Sequence, residues 1–273
     1  MKTKKDKQRT FPEVRALLLS AGLGTRLEPL TYNWPKCLMP IGGLPLLEHW
    51  LGMLYQVGLH RVLVNVHHHA QELLLFLKRP RFSDWVNYVC EKKLLGTAGT
   101  LKANKKFFCG NTTLLIHSDN WCQFDFRDFL NFHQHQRPKQ CKITMMTFNS
   151  PTPQKCGILE IDQKGIVNKI HEKVGNPPGT LANGAVYLLE PEIMNWLENQ
   201  PKIIDFSTEV LPNFLGGIAT WHNKNIHRDI GELKMLKLAQ SDSIPPSFWP
   251  QKDSWQKTFL KHPIHQQISK SKI

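Results

Sequence analysis

Between Leu17 and Pro45 the sequence reads LLLSAGLGTRLEPLTYNWPKCLMPIGGLP. Two glycines, Gly22 and Gly24, are followed by Arg26, and ten residues later comes Lys36 between Pro35 and Cys37. Glycine permits backbone conformations closed to other residues and lets the chain approach a ligand closely. Successive N–H groups in such a turn form a nest for an anion. A guanidinium can fork two phosphate oxygens, and an ammonium adds a compact, mobile charge. Pro29, Pro35 and Pro40 keep the segment out of a long helix and stiffen it. The chemistry this favours is the holding of a triphosphate. A P-loop would need a lysine directly after a glycine, and none stands there. The dinucleotide fingerprint would need a third glycine where Leu27 stands. Two glycines alone would suit an ordinary turn; the two cations are what point to phosphate.

Two aspartates form the second candidate set. Asp119 ends the apolar run LLIHSD, and Asp229 lies in HRDIGELKML. Each alone suits a turn or a helix cap. Beside a phosphate loop they gain another meaning, because Mg²⁺ takes a few carboxylates together with substrate phosphates and water. A third set, Leu95-Gly96-Thr97-Ala98-Gly99-Thr100, precedes a predicted helix. It fits a tight turn capped by Thr97, or a loop whose backbone lies close to a nucleobase or ribose. Glu91, just upstream, suits either a group that orients this loop or a surface charge. His67, His68 and His69 end a predicted strand, where successive side chains alternate in direction, so three in a row do not converge on one ion.

The elements that must position these residues alternate. Strand-like apolar runs at 14–19, 61–66, 85–90, 113–117 and 142–148 are separated by helical patterns at 46–57, 71–78, 100–107 and 126–136. Such alternation predicts an α/β fold with a mostly parallel sheet wrapped by helices. Ligands of such sheets bind beyond the carboxyl ends of strands, where the glycine turn and Asp119 both fall. From Cys156, the stretches CGILEID, GIVNKIHEK and GAVYLLEP predict a meander of short strands, suited to a lid or a sugar-facing wall. A helical stretch at 207–215 and a strand at 217–222 follow, and Asp229-Ile230-Gly231 opens a helix through Ala239. The expected organisation is a basic tail at 1–12, one catalytic domain at 13–240, and a partly ordered basic tail at 241–273. The net charge of +13 draws on five cations in the first nine residues and five lysines between Lys252 and Lys272. Tail charge is usually solvated, so nucleic acid is not an expected partner. No apolar run approaches the ~20 residues that span a bilayer. The six cysteines are scattered and predict buried thiols in a reducing compartment, here the cytoplasm.

Gly-x-Gly-Thr-Arg-Leu-x-Pro-Leu-Thr, then Pro-Lys, Pro-Ile and Pro-Leu-Leu, resembles the signature of sugar-1-phosphate nucleotidyltransferases. The chain is closest in look to mannose-1-phosphate guanylyltransferase-like members. Ala21, Glu28, Cys37 and Val174 depart from the common pattern. The resemblance runs from about Val14 to Gln240. It implies a Rossmann-like three-layer α/β/α fold with a small β-rich insertion on the sugar side. It implies transfer of a nucleoside monophosphate from a nucleoside triphosphate, GTP by the look of the Gly96 loop, to a mannose- or heptose-like sugar 1-phosphate. Pyrophosphate is the other product. Arg26, Lys36 and Asp119 would be catalytic, and Asp119 and Asp229 would hold Mg²⁺. Ala21, Gly22, Gly24 and Thr25 would meet the nucleotide, with Gly96, Thr97 and Ala98 on the base side. Glu172 and Lys173, matching a Glu-Lys-Pro motif, and Asn183, matching Asn-Ala-Gly-Ile-Tyr, would bind the sugar phosphate. A uridylyltransferase, or a catalytically silent relative that binds nucleotide sugar, remains an alternative, and a homo-oligomer is left open.

Overall fold

The computed structural model describes residues 13–271, so the basic run at residues 2–9 lies outside them. The chain begins with β1 (Val14–Leu19), whose Ala16 and Leu18 enter one core while Leu17 enters another. Both faces are therefore covered, which is why the strand reads as a continuous apolar run. β2 (Val62–Val66) and β3 (Val86–Cys90) follow on one side, and β4 (Thr112–His117) lies on the other, all parallel.

On the far side of β4 the sheet changes character. The later strands are β6 (Ile143–Asn149), β7 (Gly157–Ile161), β8 (Val167–Glu172), β9 (Leu181–Leu189) and β10 (Ile218–His222). β9 runs antiparallel to both β4 and β6, and β6 pairs with β10 in parallel. The predicted meander, β7 to β9, is thus an extension of the main nine-stranded sheet and not a separate flap. Its strands carry apolar residues on the face that packs with Leu115, Tyr187 and Phe206, and this fixes them to the sheet. A short ribbon, β5 (Asn120–Cys122) with β11 (His227–Asp229), brings the end of β4 against a segment far along the chain.

Helices cover both faces. α1 (Leu46–Gln56) and α2 (Ala70–Leu77) pack on the core that contains Trp50 and Phe76. α3 (Thr97–Ala103) and α5 (Pro191–Glu198) pack on the other, and α4 (Phe126–Asn131) leads into a wider turn at Phe132–Gln136. The result is three layers. The last helices are α6 (Leu233–Gln240), α7 (Ser254–Phe259) and α8 (Ile264–Lys270). α6 starts four residues after Asp229 and not at it, because Asp229 ends β11 and its carboxylate accepts the Gly231 N–H in a turn (2.8 Å). In the segment after residue 241, read from its polar composition as partly ordered, Phe259, Ile264 and Ile268 are buried in the first core. Cys37, Cys122 and Cys141 are buried as expected, but Cys90 and Cys109 are exposed. Cys90 ends β3, the strand at the open edge of the sheet. No helix among the described residues is long and apolar enough to cross a membrane.

Candidate active site

The glycine turn follows β1, at the carboxyl end of the parallel strands. Gly22 has open space where a side chain would stand, so nothing shields its backbone from a ligand. Gly24 is constrained by the fold: φ is +69°, and a Cβ would come within 2.9 Å of Thr31 and 3.3 Å of Lys36. The close approach of Gly24 is thus to the Lys36 segment. Together these residues wall a cleft of about 320 Å³ that also takes in Ala21, Thr25, Arg26, Gly96, Thr97 and Asp119.

Lys36 is the centre of the charge arrangement. Its side chain is 8% exposed, and Nζ donates to Asp119 Oδ2 at 2.7 Å and to Asp229 Oδ1 at 3.0 Å. Arg26 donates to Asp229 Oδ2 at 2.9 Å. Two cations and two carboxylates from four distant positions therefore form one cluster. Burial alone would lower the Lys36 pKa, but Asp119 and Asp229 outweigh it and raise it. Burial would raise that of Asp229, but Lys36 and Arg26 hold it down at about 2. Lys36, Arg26 and Asp229 are therefore ionised at neutral pH. Gly231 makes the cluster possible, since a Cβ there would meet Arg26 at 2.6 Å.

The Gly96 loop is held from behind. A Cβ on Gly96 would lie 2.4 Å from the carbonyl oxygen of Ile204, and the N–H groups of Ala98 and Gly99 donate to that same oxygen. Thr97 is the first residue of α3 and not its cap; its hydroxyl accepts from the Phe206 N–H (2.6 Å) and donates to Asp205. Glu91 is buried and orients this loop. Its carboxylate accepts from Asn65 Nδ2 (3.0 Å), the Thr100 hydroxyl (2.5 Å) and the Leu95 N–H (3.2 Å). Asn65 in turn accepts from the Ser20 N–H (2.7 Å), tying the Gly96 loop to the glycine turn. Asn65 was missed in the sequence; its only signal is one polar residue inside the apolar run VLVNV.

The sugar-side candidates stand apart. Glu172, Lys173 and Asn183 do not line this cleft, nor a second hollow of about 600 Å³ next to it. Arg26 walls both spaces, whereas Asp229 walls the second hollow. Glu172 lies against Gly157, and Lys173 donates its N–H to the carbonyl of Cys156, which does line the second hollow. Asn183 Oδ1 accepts from the Ala185 N–H (2.9 Å) at a register shift in β9, leaving its Nδ2 for other partners. His67 bonds the Glu91 carbonyl, and His68 and His69 both reach the Thr31 carbonyl. The three histidines serve the backbone. Glu28 is exposed and outside the cleft wall.

Among the described residues no group of three or more His, Cys, Asp or Glu could cage a metal ion. Two carboxylates over a phosphate cradle do fit Mg²⁺, whose remaining ligands come from substrate and water.

Comparison with known proteins places this site in context. Residues 15–243 match the family described as nucleotidyl transferase. A mannose-1-phosphate guanyltransferase from Debaryomyces hansenii is 27% identical over 71% of this chain and 55% of its own length. Mannose-1-phosphate guanylyltransferase 1 of Arabidopsis thaliana is 29% identical over the same shares, 71% and 55%. The chain thus spans little more than half the length of these curated relatives. The crystal structure of HddC from Yersinia pseudotuberculosis complexed with GMP-PN superposes with a TM-score of 0.70. That pair is 25% identical and covers 83% of this chain and 98% of that one.

Proposed function

The chain belongs to the nucleotidyl transferase family, and on that premise we propose that it transfers GMP from GTP to a mannose-like sugar 1-phosphate, giving a GDP-sugar and pyrophosphate. The observation that carries this is the Lys36 ammonium bound to both Asp119 and Asp229, beside Arg26, at the edge of an open glycine turn. The guanine and mannose assignments draw support from the names of the relatives and from the GMP-PN complex of HddC.

The parts act as follows. The triphosphate lies over the Gly22 backbone, where space is open. Arg26 takes the departing β,γ-phosphates, and Lys36 sits beside the reacting phosphorus. Each cation then exchanges a carboxylate partner for phosphate oxygens. Lys173 and Glu172 hold the phosphate and hydroxyls of the sugar, entering from the side of Cys156. The sugar phosphate is already an anionic nucleophile, so no side chain has to remove a proton. Catalysis is positioning and charge neutralisation. Asp119 and Asp229 would hold Mg²⁺, which supplies charge neutralisation on phosphate oxygens.

Thermal shift with GTP, UTP, CTP, ATP and dTTP tests the nucleotide, since a ligand that binds only the native state raises its stability. GTP with Mg²⁺ is expected to give the largest rise, and pyrophosphate release should follow on adding mannose 1-phosphate. A larger shift with UTP and release only with another sugar phosphate would make the chain a uridylyltransferase. A shift without release across a panel of sugar phosphates would make it a binding protein.

A further inference from the structure

His117 has no part in the transfer scheme above, yet it helps to wall the cleft. It ends β4, paired in register with Leu19 of β1, two residues before Asp119. On its other side runs β9, which shifts register between Asn183 and Tyr187. The ring stands edge-on to that of Tyr187, with centroids 6.4 Å apart and planes at 68°. Nε2 of His117 is buried and, among the described residues, has no hydrogen-bond partner. Leaving such a group unpaired costs stability, and native structures seldom accept it without a use.

The charged groups of this wall are already engaged: Lys36 and Arg26 with Asp119 and Asp229, and Glu91 with Asn65, Thr100 and the Leu95 N–H. A neutral imidazole, one nitrogen donating and one accepting, is matched instead to a hydroxyl. The χ2 torsion of histidine is broad and roughly two-fold, so the ring can turn in place and bring either nitrogen to the cleft. On the transferase reading, two hydroxyl sources come to this cleft, the ribose of the nucleotide and the acceptor sugar.

We propose that His117 hydrogen-bonds a substrate hydroxyl through a ring nitrogen and so determines which substrate is accepted. The inference rests on the transferase reading.

The test uses the full chain and its His117→Leu and His117→Gln variants. Their substrates are GTP, 2′- and 3′-deoxy GTP, mannose 1-phosphate and its monodeoxy analogues. His117→Leu should raise the KM of one substrate about tenfold with kcat little changed, the size of one lost hydrogen bond. His117→Gln, which keeps a donor and an acceptor, should restore most of it. The deoxy analogue lacking the partner hydroxyl should cost the unmodified protein the same factor and cost His117→Leu nothing more. That non-additivity with deoxy GTP assigns the ribose, and with a deoxy sugar the acceptor. A packing role alone would give losses that multiply with every analogue, and this result, or unchanged KM values, overturns the inference. Binding is also read as thermal shift. If no sugar phosphate supports release, the transfer reading fails, while the inference is still decided by whether His117→Leu loses the shift that His117→Gln keeps.

Discussion

Lys36 is nearly buried and still charged, because two carboxylates reach it from positions 119 and 229. Its slot fits a compact ammonium. Lys36→Ala should lower turnover by ~10² or more, as loss of one preorganised charge-stabilising group does. Lys36→Arg should not restore it, since a planar fork cannot occupy a slot built around one nitrogen. Steady-state pyrophosphate release, with unfolding curves to confirm folding, checks both. Arg26 and Lys36 stood out in the sequence as cations set among glycines and prolines after an apolar strand, whereas Asp119 and Asp229 gained meaning only beside that loop and through the family resemblance. Asn65 and His117 did neither. A single polar residue in an apolar strand gives no sign of whether its side chain meets solvent, protein or ligand, and only the register with β1 places these two.

At the scale of elements, the loop that carries Lys36 leans on α7 and the turn after it. Trp34, two residues before Lys36, stacks on Phe259 of α7 (5.8 Å, 19°) and lies 4.1 Å from the His262 ring. Arg79 fastens the same segment: it donates to Glu48 of α1 (2.6 Å) and to Asp253 (2.8 Å), and its guanidinium lies over the Trp255 ring. The side chains of Arg79 and Glu48 are 3% and 1% exposed. Arg81 also reaches Glu48 (2.8 Å) and Asp253 (3.1 Å), so Arg79→Leu leaves each carboxylate one cation and should destabilise the protein by about 1–3 kcal/mol, read by urea unfolding. Deleting residues 244–273 should lower Tm and also cut turnover, because Trp34 loses its support; unchanged turnover in the deleted protein would show that the loop stands alone. The parallel strands β1, β2 and β4 could be read from sequence since both their faces are buried. The seating of α7 and α8 could not, because Phe259, Ile264 and Ile268 are spread thinly among polar residues.

For the molecule as a whole, buried neutral histidine sets the acid side of stability. His49 on α1 is 9% exposed; its Nε2 bonds the Ile41 carbonyl (3.0 Å) and its ring meets Trp121 edge-on. Burial, against the weaker pull of that carbonyl, pushes its pKa down to about 4. The unfolded chain takes up this proton near pH 6.5, so between there and pH 4 the unfolded state binds more protons than the folded one. Stability is therefore full above about pH 6.5, falls as pH drops, and levels off below 4, with up to ~3 kcal/mol at stake from this one group. Asp229, held at about 2, contributes in a separate window: its share is present above about pH 4 and is lost as pH falls toward 2. The net charge of +13 adds repulsion in acid as well, but that effect is screened by salt, whereas desolvation of a buried ring is not. Urea unfolding at pH 7, 5.5 and 4.5 in 0.5 M salt should thus still show the loss, and His49→Gln should make it shallower, the remainder belonging to groups such as His227, which burial also pushes down to about 4. A curve that stays flat in salt for the unmodified protein would mean that His49 accepts its proton while folded, and that the packing of α1 against Trp121 yields to charge.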